Sequence, residues 1–102
     1  MTRDPQVLER VKGILKIISE LAPGHAVELR IPPYSAIQCV EGPKHTRGTP
    51  PNVVEMQAET LFSLASGEKI WQSGIESGAI HASGERSDLE SLFQQLALRM
   101  HP

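Results

Sequence analysis

The chain reads as an α+β fold, and three features predict it. Stretches near either end repeat apolar residues at three- and four-residue steps, short stretches between them alternate apolar with polar residues, and proline or glycine separates one stretch from the next. The expected architecture is a small, mostly antiparallel sheet of about four strands, covered by an N-terminal helix, two short helices and a C-terminal helix. At 102 residues the chain is expected to form one domain over 1–102, and a globule of this size removes only roughly 60–70% of its unfolded surface from water. A large empty tunnel is costly in so modest a core, so a dimer that shares a cavity is easier to stabilise than a monomer that holds one.

Asp4 followed by Pro5 predicts a helix start, because the carboxylate accepts an unpaired amide hydrogen and proline has none to lose. Val7, Leu8, Val11, Ile14, Leu15 and Ile18 then form one apolar stripe, and Pro23-Gly24 stops the helix. Val27, Leu29 and Ile31 alternate with Glu28 and Arg30, as a strand with one wet face requires, and Pro32-Pro33 ends it. Ser35 to Val40 fits a second strand, close enough for antiparallel pairing with the first. Gly42 to Pro51 holds three prolines and two glycines, so neither helix nor ladder runs through it. Asn52 to Met56 reads as a third strand. Leu61, Phe62 and Ala65 mark a short helix ended by Gly67, and Ile70, Trp71 and Ile75 mark another closed by Gly78. Ala79 to Ser83 is strand-like. Ser87 and Glu90 predict a capping box for a last helix whose Leu89, Leu92, Phe93, Leu96 and Met100 line one face.

This order of elements, together with Leu61, Phe62, Leu64, Ala65, Gly67, Trp71, Gly78, Ile80, Gly84, Asp88 and Leu89 at their spacings, resembles the sterol carrier protein family. The tract from Glu59 to Leu89 looks like that family's aromatic-containing helix with Leu-Ala-x-Gly, its Trp-bearing helix, and its Gly-x-Ile-x-x-x-Gly and Asp-Leu. The run from Gln38 to Glu55 is similar to a bacterial branch of these domains. The resemblance implies a sterol-carrier-protein-like sandwich that binds an apolar ligand without catalysis or cofactor. The chain offers four strands where the family pattern has five, and Gln57 stands where a helix-capping Asp or Thr is expected.

Ten basic residues against twelve acidic ones give a net charge of −2, with no basic block to track phosphates, so nucleic acid is not an expected partner. A single cysteine, Cys39, excludes an intramolecular disulfide, and no apolar run has the length of a signal peptide or an integral membrane segment. The expected location is the cytoplasm, and a homodimer or a partner enzyme is compatible with the sequence.

Met56, Phe62, Trp71, Leu92, Phe93, Leu96 and Met100 are the candidate lipid-binding residues, expected to line a groove between the sheet and the C-terminal helix. Methionine suits such a wall because its thioether adapts to varied shapes. The same side chains equally suit a solid core, which leaves a packed accessory module that docks a protein partner as the alternative. Lys44, His45 and Arg47, on the Gly- and Pro-rich loop, are candidates for a lipid head group or a partner, or else solvated charges that pair with Glu41 or Glu55. His25, Cys39, His45 and His81 lack the ligand spacing of a zinc site, so no metal is expected. Glu41, His45 and Glu55 are the residues an acid/base enzyme would use, and no catalytic site is assigned to them.

Overall fold

The computed structural model describes residues 4–42 and 51–101. Helix α1 spans Pro5–Leu21. Asp4 is its N-cap, with Oδ1 accepting from the Gln6 amide at 2.9 Å and the Val7 amide at 3.4 Å, and Pro5 sits in the first turn. Val11, Ile14, Leu15 and Ile18 are buried, which is the stripe the periodicity predicts. The helix ends at Ala22, whose amide donates to the Ile18 carbonyl. Strands β1 (Val27–Ile31) and β2 (Ser35–Cys39) then form an antiparallel hairpin in which Val27 faces Cys39 and Ile31 faces Ser35.

Strand β3 (Asn52–Met56) lies on the other side of β1 and runs parallel to it, Val27 beside Asn52 and Arg30 beside Glu55. Helices α2 (Ala58–Ser66) and α3 (Trp71–Ser77) precede β4 (Ile80–Ser83), which pairs antiparallel with β3, Met56 facing Ile80 and Val53 facing Ser83. Helix α4 (Glu90–Met100) closes the chain. The sheet order is β2-β1-β3-β4, so the sheet is mixed, with antiparallel hairpins flanking a parallel centre. The four strands and four helices among the described residues give the α+β class that the sequence predicts.

Strand register puts alternate residues on opposite faces. Val27, Leu29, Ile31, Cys39, Val54 and Met56 are buried and share one core with the apolar stripes of the helices. Glu28, Arg30, Glu55 and His81 point the other way, where Glu28 and Arg30 form an ion pair and His81 is exposed. The helices therefore make a single layer against one side of the sheet.

One buried polar residue pins that layer. Asn52, only 5% exposed, donates from Nδ2 to the Ala26 carbonyl at 2.9 Å and accepts the Arg86 amide on Oδ1 at 2.9 Å. It thereby ties the entry of β1 to the turn that leads into α4. In that turn the structure corrects the capping box expected at Ser87. The Ser87 hydroxyl donates backwards to the Gly84 carbonyl at 2.8 Å, Leu89 occupies the N-cap without a side-chain bond, and the Glu90 amide instead finds Asp88 Oδ1 at 3.0 Å. A serine followed three residues later by glutamate also suits a tight turn, and here the turn after Gly84 takes the hydroxyl.

Replacing Asn52 with alanine removes this partner from the buried Ala26 carbonyl and the part-buried Arg86 amide, so Asn52→Ala is expected to destabilise the fold by about 1–3 kcal/mol, read from the urea midpoint at unchanged slope. Gln57, the N-cap of α2, makes no side-chain capping bond, and Gln57→Asp is expected to gain about 0.5–1 kcal/mol in the same measurement. Burial pushes the Cys39 thiol from its ordinary 9.0 up to about 11. The folded chain then holds this proton more tightly than the unfolded chain, so the thiol's contribution to stability is complete below about pH 9 and is lost as pH rises towards 11. Labelling of native protein with a disulfide reagent at about pH 8 is accordingly expected to be slow and limited by unfolding, and Cys39→Ser is expected to flatten the alkaline limb of the stability curve.

Candidate functional site

Gly67 ends α2 in the left-handed conformation, with φ of 83°, and turns the chain so that the Lys69 amide reaches the Ser63 carbonyl at 3.1 Å. That turn delivers Trp71, the first residue of α3, onto α4. Its ring stacks on Phe93 with centroids 5.6 Å apart and planes inclined by 25°. Both rings are nearly buried, at 5% and 3% exposure.

Beside the stacked pair lies a cleft of about 150 Å³, walled by Leu64 and Gly67 of the α2 end, Lys69 and Ile70 of the connection, and Glu90, Phe93, Gln94 and Ala97 of α4. The α4 contribution is a stripe at steps of three and four, adjacent to the stripe that faces the core. Lys69, Glu90 and Gln94 supply polar groups, while Leu64, Trp71, Phe93 and Ala97 supply apolar wall. Ile70, 65% exposed, stands at the edge of the cleft. Sites for drug-sized ligands hold about 300–1,000 Å³, so the cleft as it stands fits one end of such a molecule.

A second, open depression borders β4, lined by Val53, Glu55, Ile75, Ile80, His81 and Ser83 among others. Glu55 and His81 face each other directly across the ladder there, on the side of the sheet away from the helices.

Of the seven candidate lipid-binding residues, Trp71 and Phe93 meet at the cleft. Met56, Leu92 and Leu96 lie in the core. Met100 is partly buried against that core. Phe62 is likewise partly buried against the core, with its ring covered by the Arg10 guanidinium at 4.0 Å. The cleft thus opens between α2, α3 and α4, where the sequence places a groove between α4 and the sheet. Lys44, His45 and Arg47 lie outside the described residues. Leu64 and Ile70, read from the sequence only as helix and family-pattern positions, line the cleft as well, and so does Ala97, which the sequence did not mark. The stripe Glu90, Phe93, Gln94 and Ala97 carries the only periodic sign of them, and two polar members disguise it as solvent face.

Among the described residues no three His, Cys, Asp or Glu side chains converge as a metal site. His25 is hydrogen-bonded to Gln38 at 3.1 Å, Cys39 faces the core, and His81 lies on the opposite face of the sheet. No helix among the described residues is long and apolar enough to cross a membrane.

No curated protein matches the sequence. Among solved structures, the chain is similar to one titled "UbiJ-SCP2 Ubiquinone synthesis protein", with a TM-score of 0.52 and 15% identity, covering 96% of this chain and 94% of that one. At such identity the likeness is one of fold. The sequence pattern of the family described as "Bacterial SCP ortholog" matches residues 3–94. With its strands, its Trp-bearing helix and its closing helix in the order that resemblance implies, the chain belongs to the bacterial SCP ortholog family.

Proposed function

We propose that the chain is a non-catalytic, cytoplasmic carrier domain that takes the apolar end of a lipid, such as a fatty acyl chain or a sterol-like molecule, into the cleft between α2, α3 and α4. The observation that supports this most directly is the stacked Trp71–Phe93 pair forming an apolar wall beside the exposed Ile70, in a member of the sterol-carrier family. Hydrophobic burial supplies the affinity in this reading, and no bond is made or broken.

Size sets the strength of such binding. At about 30 Å³ per water, the 150 Å³ cleft exchanges about five waters for a few methylenes. Each methylene is worth about 0.8 kcal/mol, so an unaltered cleft holds a chain end only at about the millimolar level. Tighter capture requires the cleft to widen.

A second reading, an accessory module that docks a protein partner, draws support from Leu98, 68% exposed one residue beyond the cleft's Ala97. The structural neighbour's title, a ubiquinone synthesis protein, is in keeping with a domain that accompanies enzymes.

Trp71 is the sole tryptophan, so its emission reports on the cleft alone. Titration with palmitate, and separately with uncharged farnesol, is expected to shift that emission to the blue and to saturate at one equivalent. Ile70→Glu, at an exposed position, is expected to leave the melting temperature unchanged and to weaken binding about tenfold or more, since covering an isoleucine contributes roughly 1.5–3 kcal/mol. Emission that stays constant up to the solubility limit of both probes, with native mass spectrometry showing only the bare chain, would overturn the carrier reading.

A further inference from the structure

We propose that α3 is a hinged lid over the cleft, swinging as residues 68–77 between Gly67 and Gly78 while α4 stays fixed. Its part in admitting a ligand rests on the carrier reading above, but the motion itself does not.

α3 is the shortest of the four helices and has the fewest buried residues. α1 buries Val11, Ile14, Leu15 and Ile18, α2 buries five residues and α4 buries Leu92, Phe93 and Leu96. α3 buries Trp71 and Gly74, with Ile75 partly buried against the core. Trp71 is held by the stack on Phe93, and Gly74 lies so close to Ile80 that an added Cβ would sit 2.3 Å from Ile80 Cδ1. Elements with little buried apolar contact are the ones that open below the cost of global unfolding.

Hydrogen bonding points the same way. Gln72 Nε2 donates to Glu76 at 3.2 Å, the Ser77 hydroxyl donates to the Gly74 carbonyl at 3.3 Å, and the Ala79 amide donates to Ser77 at 3.3 Å. Each of these bonds is local. Among the described residues no side-chain hydrogen bond or ion pair ties α3 to another helix or strand. Its N-cap, Ile70, has no side-chain capping bond. By contrast, Arg99 of α4 reaches Glu20 of α1 at 3.3 Å.

Both ends of the segment are built to turn. Gly67 and Gly78 hold φ values of 83° and 80°, and a Cβ at either would meet nothing within 4 Å. Both glycines thus stand in open surroundings, and glycine crosses between positive and negative φ at little cost. Swinging the segment breaks the Trp71–Phe93 stack, the Gly74–Ile80 contact, the packing of Ile75 on the core and the bond from the Lys69 amide to the Ser63 carbonyl. A 150 Å³ slot then becomes a site with room for a longer hydrocarbon, which supplies the widening that tight capture demands.

Hydrogen exchange on the ligand-free full chain, measured with low urea, tests the motion. The amides of 74–78 are expected to exchange by an opening that urea barely accelerates, well ahead of those in α1 and α4. Gly74→Ala wedges α3 off Ile80 and is expected to speed exchange in α3 about tenfold while α1 keeps its wild-type urea dependence. If that variant does not fold, Phe93→Leu removes the stack with an expected gain of about threefold to tenfold. Exchange in α3 that shares the rate and urea dependence of α4 would overturn the lid. Stopped-flow mixing with palmitate, followed by Trp71 emission, then tests the gating role. An association rate that levels off with palmitate concentration and rises in Gly74→Ala supports it, and a strictly linear rate unaffected by that substitution refutes it. Failure of palmitate to bind at all counts against the carrier reading and leaves the exchange result to decide the lid.

Discussion

Alternate residues of β1 and β3, joined by the core side of β2, form a continuous apolar surface that has to be kept from water, and the placing of every helix follows from that requirement. Val27, Leu29, Ile31, Val54 and Met56 provide the surface, and the stripes of α1, α2 and α4 cover it. Burial of that area outweighs any single polar contact in the molecule, since each large apolar side chain contributes roughly 1.5–3 kcal/mol. The reverse side of the sheet, with Glu28, Arg30, Glu55 and His81, carries charge and needs no cover. Asn52 complements the greasy contact with direction: its two hydrogen bonds fix where the chain leaves the sheet for α4, which area alone does not specify.

Much of this was legible in the sequence because the signals were local. Asp4-Pro5 sets the start of α1 through geometry within one turn, and the alternation from Val27 to Ile31 needs only the two-residue period of a strand. Gly67 and Gly78 end their helices as expected for the same reason. Non-local features were hidden. Nothing near Asn52 announces that β3 will lie parallel to β1, because the pairing joins residues twenty-five apart in the chain, Val27 and Asn52. The pattern Ser87 to Glu90 misled because a serine hydroxyl serves a turn as readily as a helix start, and only the path after Gly84 decides.

The candidate site shows a different limit. Its apolar wall is made of Leu64, Trp71 and Phe93, residues that also hold the helices together, so composition could not separate lining from packing. Phe62 was indistinguishable from them in sequence, and three-dimensional context sends it under Arg10 instead. Membership in the sterol-carrier family points to an apolar ligand, yet the cleft is small. In a chain of this size a permanent cavity and a stable core compete for the same side chains, and a movable wall is one way to satisfy both.

The sheet order also divides the chain in a way that bears on how it holds together. The N-terminal stretch supplies β2 and β1 with α1, the C-terminal stretch supplies β3 and β4 with the remaining helices, and the two meet at the central parallel ladder. Neither fragment owns a complete interior, for α1 packs against α2 and α4 as well as against β2. A cut between β2 and β3 would therefore yield two pieces with half a sheet and part of its shelter each. All-or-none folding is the expected consequence, because α1 lacks its full cover until α2 and α4 are in place.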